Sequence, residues 1–83
     1  MNFKILKLED KIKIILNTNK SIYGYIKKIY SEKRLSDIYE ITFYFKDIYQ
    51  HTVYEDTLND AEDKLKNILI KINNDELISF EQF

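Results

Sequence analysis

Catalysis needs a nucleophile, an acid–base pair or a set of metal ligands brought close together, and this chain offers few such residues. It has no cysteine, one histidine, His51, and one glycine, Gly24. The missing thiol excludes disulfides, thiolate metal sites and a cysteine nucleophile. His51 has only Asp47 and Glu55 as nearby acids in the sequence, which makes neither a zinc set nor a nucleophile–base pair. A surface or boundary position is expected for it. A single glycine cannot build a phosphate-cradling loop. The acidic run Glu55, Asp56, Asp60, Glu62 and Asp63 lacks the glycine and ligand spacing of a calcium loop. No metal, cofactor or catalytic activity is therefore expected.

What remains is recognition chemistry. Residues 38–45 read Ile-Tyr-Glu-Ile-Thr-Phe-Tyr-Phe. Tyr39, Ile41, Phe43 and Phe45 alternate with Glu40, Thr42, Tyr44 and Lys46, the two-residue period of a half-buried strand. The first set belongs to the core, so Tyr44 and Lys46 belong to the opposite face of a strand expected to run from about Ile38 to Ile48. In residues 21–30, Ile22 and Ile26 share one face with Gly24, while Tyr23, Tyr25 and Lys27 share the other. If these strands are neighbours, Tyr23, Tyr25 and Tyr44 gather on one sheet surface with Lys11, Lys13, Lys27 and Lys46.

Such a surface has three readings. Tyrosines among lysines stack bases and neutralise phosphates in single-strand nucleic-acid binders. They also anchor protein interfaces, since each ring carries an apolar body and a polar tip. The plainest reading is that tyrosines are good strand formers that pair across strands. A sequence pI of 5.8 with a single arginine argues against nucleic acid and ranks a protein partner first. The acidic run Glu55 to Asp63 is a second candidate contact, imitating a phosphate row, although acids are favoured at a helix N-terminus in any case.

These side chains need elements to hold them. At 83 residues the chain is a single domain, residues 1–83, with a small core. A strand is expected near residues 3–8 and another over residues 11–16, where Ile12, Ile14 and Leu16 share a face. Asn17, Thr18, Asn19 and Lys20 signal a turn, because asparagine tolerates positive φ. Residues 31–37 read as a solvated loop. A lone glycine in a strand marks a bulge, a bend or a place where another side chain crosses the backbone. Thr57 and Asp60 suit a helix start. Leu58, Ala61, Leu65, Ile68, Leu69 and Ile72 then recur at three- and four-residue spacing and stack on one stripe, and Asn73 and Asn74 suit a left-handed cap. The sequence does not decide between strand and coil for residues 49–55.

The expected fold is α+β, an antiparallel meander of about four strands backed by one C-terminal helix. The order Ile-x-Ile-x-Leu, polar turn, Ile-x-Gly-x-Ile over residues 12–26 also resembles the bent strand pair of SH3-like and Sm-like small barrels, which implies a bent barrel plus helix as the alternative. It departs from them in placing Asn19 where they favour glycine and in placing the helix after the strands.

Charge and composition set the context. Residues 1–34 carry nine basic and three acidic residues, a net +6, while residues 35–83 carry four basic and eleven acidic, a net −7. Folding either intermixes these halves or leaves opposite patches suited to a charged partner. Leu77, Ile78, Phe80 and Phe83 make an apolar tail through which a homodimer is expected. Residues 1–8 show no signal-peptide pattern and no run reaches the roughly 18 apolar residues of a membrane span, so a cytoplasmic protein is expected. The abundance of Ile, Lys, Asn, Tyr and Phe reflects A/T-rich codons, suggesting a bacterium or its phage. The functional expectation is a non-enzymatic binding protein that occupies a surface of a larger partner, in the manner of a phage or mobile-element inhibitor of a host enzyme or defence complex. The alternative is a single-stranded nucleic-acid-binding domain.

Overall fold

The computed structural model describes residues 2–76; the tail carrying Leu77, Ile78, Phe80 and Phe83 lies outside the described residues. Five strands precede one helix: β1 (Phe3–Lys7), β2 (Ile12–Leu16), β3 (Ile22–Ser31), β4 (Ser36–Phe45), β5 (Ile48–Glu55) and α1 (Leu58–Asn73). The sheet order is β1-β2-β3-β4-β5 with every neighbour antiparallel. This is the expected α+β meander with a C-terminal helix, one strand richer than expected. The barrel alternative does not form: β1 and β5 end the sheet as separate edges, and α1 lies across β3 and β4, touching β2 and β5.

The strand expected to reach Ile48 ends at Phe45, and a fifth strand exists because Lys46 and Asp47 turn the chain back at once. Both sit at positive φ, 51° and 63°, the geometry a two-residue hairpin needs to match strand twist. Phe45 then pairs with Ile48, and Tyr44 with Tyr49. A register shift between Phe43 and Tyr44 leaves Gln50 as the extra residue of a bulge on the edge strand. The loop expected over residues 31–37 shrinks to a four-residue turn, because Ile29 faces Ile38 and the ladder continues to Ser31 and Ser36. Arg34 N–H donates to Ser31 Oγ at 3.2 Å and Leu35 takes the positive φ, 55°. At the β2–β3 turn the positive φ falls on Ser21, 56°, and not on either asparagine.

One face of the sheet is covered. Ile14, Leu16, Ile22, Ile26, Ile41, Phe43 and Val53 are buried against Ala61, Leu65, Ile68 and Leu69 of the helix. Tyr39 and Phe45 are half-buried at its margin. Each large side chain in that layer contributes about 1.5–3 kcal/mol through removal from water. Gly24 is buried among them. A Cβ there would stand 2.5 Å from Leu65 Cδ1 and 2.7 Å from the Thr42 carbonyl oxygen, so the glycine marks the place where the helix rests on the strand. His51 faces the same layer, half-buried, with its ring 6.5 Å from that of Phe43.

The helix ends are closed as local chemistry requires. Asp60 N–H donates to Thr57 Oγ1 at 3.1 Å, the N-cap bond. At the other end Glu76 N–H reaches the Lys71 carbonyl and Asp75 N–H reaches that of Ile72. This is a Schellman motif with Asp75 (φ 55°) as its left-handed residue, where Asn73 or Asn74 was expected. Lys20 Nζ donates to the Asn73 carbonyl at 3.1 Å and ties the helix end to the β2–β3 turn.

Candidate functional site

The opposite face of the sheet carries no covering layer among the described residues, and the ladder register arranges it in rows. One row runs Ile15, Tyr23, Tyr44, Tyr49 across β2 to β5; the next runs Lys13, Tyr25, Thr42, Thr52; a third runs Lys27, Glu40, Tyr54. Alternation is unbroken within β3 and within β4, and the register that sets Tyr23 opposite Tyr44 and Tyr25 opposite Thr42 brings the three tyrosines to one face. Their rings form one cluster. Tyr23 and Tyr44 stack with centroids 5.1 Å apart and planes at 12°; Tyr25 stands edge-on to both at 5.9 Å, and Tyr49 edge-on to Tyr44 at 5.9 Å.

Two lysines lie over the rings of Tyr23 and Tyr25. Lys13 Nζ lies 4.5 Å from the Tyr23 centroid and 5.4 Å from that of Tyr25, and Lys11 Nζ lies 4.6 Å from Tyr25, within cation–π range. Lys13 and Tyr44 approach Tyr23 from strands on opposite sides of β3. Beside the rings a shallow depression of about 390 Å³ is lined by Lys11, Tyr23, Tyr25, Lys27, Glu40, Thr42 and Tyr44. Lys27 stands 3.9 Å from Asp10 and opposite Glu40 in the ladder.

Lys46 is the exception among the expected residues. It sits in the turn with its ammonium 5.2 Å from the Phe45 ring, because the strand ends at residue 45 and its alternation ends there too. Asp47 takes the place Lys46 was expected to hold. Its Oδ1 accepts from Tyr23 Oη at 3.0 Å and from Ser21 Oγ at 3.1 Å. Tyr23 is pushed up to about 12, first by loss of water around the phenol and then by the hydrogen bond to Asp47 and its negative charge. Asp47 and Tyr49 are the members of this face that sequence reasoning missed. The aromatic and β-branched content of residues 48–55 was a strand signal, but nothing in Lys46 marked the turn that puts Asp47 and Tyr49 on this face.

The acidic run is not one patch. Glu55 pairs with Lys64 of the helix and Asp56 with Arg34 of the β3–β4 turn. Asp60 lies in the first helical turn, its backbone N–H capped by Thr57, while Glu62 is half-buried and Asp63 exposed. Among the described residues no group of three His, Cys, Asp or Glu stands together to hold a metal ion, and no helix is long and apolar enough to cross a membrane. Comparison with protein-family models, curated proteins and solved structures finds no match for the chain.

Proposed function

We propose that the protein is a non-enzymatic binding module that lays its open sheet face, centred on Tyr23, Tyr25 and Tyr44, against a larger protein partner. The observation that carries this reading is the internal packing of the tyrosines. A base-stacking platform needs free ring faces. Here Tyr23 is filled by Tyr44 and Lys13, and Tyr25 by Lys11 and Lys13. The cluster is a pre-ordered block of amphipathic side chains, which loses little side-chain freedom on docking, and tyrosine is among the residues that dominate interface energetics. Two of the five acids of the Glu55 to Asp63 run are already engaged in ion pairs, which favours the tyrosine face over that run as the contact.

Acting by occupation alone, such a module would inhibit whatever its partner's covered surface does, in keeping with a small cytoplasmic inhibitor of phage or mobile-element origin. The test is capture of the partner from native-host lysate by the intact chain and by the triple variant Tyr23→Ser, Tyr25→Ser, Tyr44→Ser, with circular dichroism to establish that the variant stays folded. Loss of capture is expected. Capture at wild-type level by the folded variant would remove the open face from the function, and an oligothymidylate that binds the intact chain at low salt with steep salt dependence would move the reading to single-stranded nucleic acid.

A further inference from the structure

Resting on that docking face, we infer that the surface bound is an acidic, extended polypeptide segment lying along β2, with carboxylates at alternate residues seated on Lys11 and Lys13. The first ground is charge segregation. Because the meander keeps strands in chain order, the basic first 34 residues remain together as the β1–β3 flank, and the acid-rich remainder forms β4, β5 and the helix layer. This leaves Lys4, Lys11, Lys13 and Lys27 on one flank of the open face, Lys4 opposite Ile15 and Lys13 opposite Leu6 in the ladder. Among the described residues no ion pair joins Lys4, Lys11 or Lys13 to a carboxylate, whereas Lys27 has Asp10.

The second ground is pre-organisation. A lysine head on a free four-carbon stem loses rotamer freedom when a ligand fixes it. Lys11 and Lys13 are half-buried and stand 4.6 and 4.5 Å from the ring centroids of Tyr25 and Tyr23, so much of that ordering is complete before any partner arrives. The third ground is a carboxylate already bound on this face: Asp47 is held by the hydroxyls of Tyr23 and Ser21 at 3.0 and 3.1 Å. Two residues along a strand span about 7 Å, so carboxylates on alternate residues of an extended segment match the Lys11–Lys13 spacing. With the rings of Tyr23 and Tyr25 already engaged by Tyr44, Lys11 and Lys13, a nucleic acid gains less of the stacking that makes single strands bind well.

The experiment titrates the isotope-labelled full chain with a ten-residue peptide alternating Glu and Ser at low salt and follows backbone amide resonances. Shifts confined to β2 and β3 are expected, with an affinity that falls as salt screens the contact. The double variant Lys11→Gln, Lys13→Gln should bind about tenfold more weakly. Lys11→Arg with Lys13→Arg should keep binding, and Lys33→Ala, in the distant β3–β4 turn, should leave it unchanged. A well-dispersed amide spectrum for each variant establishes folding. The inference is overturned by an absence of shifts, by shifts spread equally over the lysines of the β3–β4 turn and the helix, or by tighter binding of an oligothymidylate at the same resonances. If the tyrosine triple variant loses its partner while the glutamate peptide fails to bind, the docking face stands and the acidic character of its target falls.

Discussion

Replacing Gly24 with alanine adds one methyl group at the point where α1 rests on the sheet, and the structure says what that methyl meets. It would lie 2.5 Å from Leu65 Cδ1, 3.0 Å from Leu65 Cδ2 and 2.7 Å from the Thr42 carbonyl oxygen. The three contacts differ in how they can be relieved. Leu65 is fully buried between the helix and β3, so its methyls can move only by displacing neighbours in a core packed near crystal density. The Thr42 oxygen is backbone of β4 in the ladder beside β3, and moving it lengthens interstrand bonds. Overpacking of this kind costs about 1–3 kcal/mol, with the backbone contact pointing to the upper half. Against it stands the lower backbone entropy of alanine in the unfolded chain, about 0.5–1 kcal/mol. The net expectation is destabilisation by about 2 kcal/mol, or a midpoint lowered by roughly 8–16 °C in a domain of this size.

Urea unfolding followed by far-ultraviolet circular dichroism measures the change, provided the denaturant slope is unaltered. A second variant divides the cost between side chain and backbone. Leu65→Ala alone should cost about 2–5 kcal/mol through the cavity it leaves, yet in the Gly24→Ala background part of that cavity receives the new methyl. The double variant should therefore be more stable than the sum of the two losses by about 1 kcal/mol, the coupling expected of residues in contact. A Gly24→Ala protein within 0.5 kcal/mol of the parent, or strict additivity with Leu65→Ala, would refute the claim that this glycine exists to seat the helix.

Three further outcomes follow from local contacts. Thr57→Ala removes the acceptor for Asp60 N–H and should lower stability by about 1 kcal/mol, while Thr57→Ser retains most of it; equal losses in thermal melts would deny the cap its role. Lys20→Met deletes the donor to the Asn73 carbonyl and should cost about 1 kcal/mol, read as faster amide exchange in the last helical turn; unchanged exchange there would show that the bond does not hold the helix end. Tyr23 keeps its proton to about pH 12 in the fold against 10.0 for a free phenol. Its contribution to stability is thus fully present below pH 10 and is lost as pH rises through 12. A tyrosinate absorbance titration should show a late-ionising phenol that Tyr23→Phe removes, and Asp47→Asn should bring it down part of the way, since burial acts before Asp47 does; no change in the Asp47 variant would separate Asp47 from the phenol.

Much of the fold could be read from the chain because two simple periodicities are hardly broken. Residues 38–45 alternate through to Phe45, and the helix stripe places Ala61, Leu65, Ile68 and Leu69 in the core, with Leu58 37% exposed at the rim. Gly24 was partly readable: a lone glycine inside a strand marks a bulge, a bend or a crossing side chain, and the structure selects the last, with Leu65 across it. The misreadings lie where the chain turns. Whether residues 49–55 formed a strand depended on whether Lys46 and Asp47 could enter the left-handed region without glycine, and composition does not reveal that. The polar look of residues 31–37 hid the last rungs of the ladder, Tyr30 with Asp37 and Ser31 with Ser36.

The same limit shaped the reading of the open face and explains its charge. Alternation places a side chain correctly only while the chain stays extended, so it located Tyr23, Tyr25, Tyr44 and Lys27 and failed one residue past the strand's end. Two left-handed residues exchange the roles of their side chains, and the face gains the carboxylate of Asp47 where the ammonium of Lys46 was expected. That exchange takes a cation from the β4–β5 side of the tyrosines and adds an anion there. The open face is then polarised, with Lys4, Lys11 and Lys13 along β1 and β2 and Glu40 and Asp47 along β4 and its turn. A uniformly basic tyrosine surface would suit a polyphosphate equally well. A polarised one disfavours an anion laid over β4 and leaves β2 as the favourable line for an acidic strand.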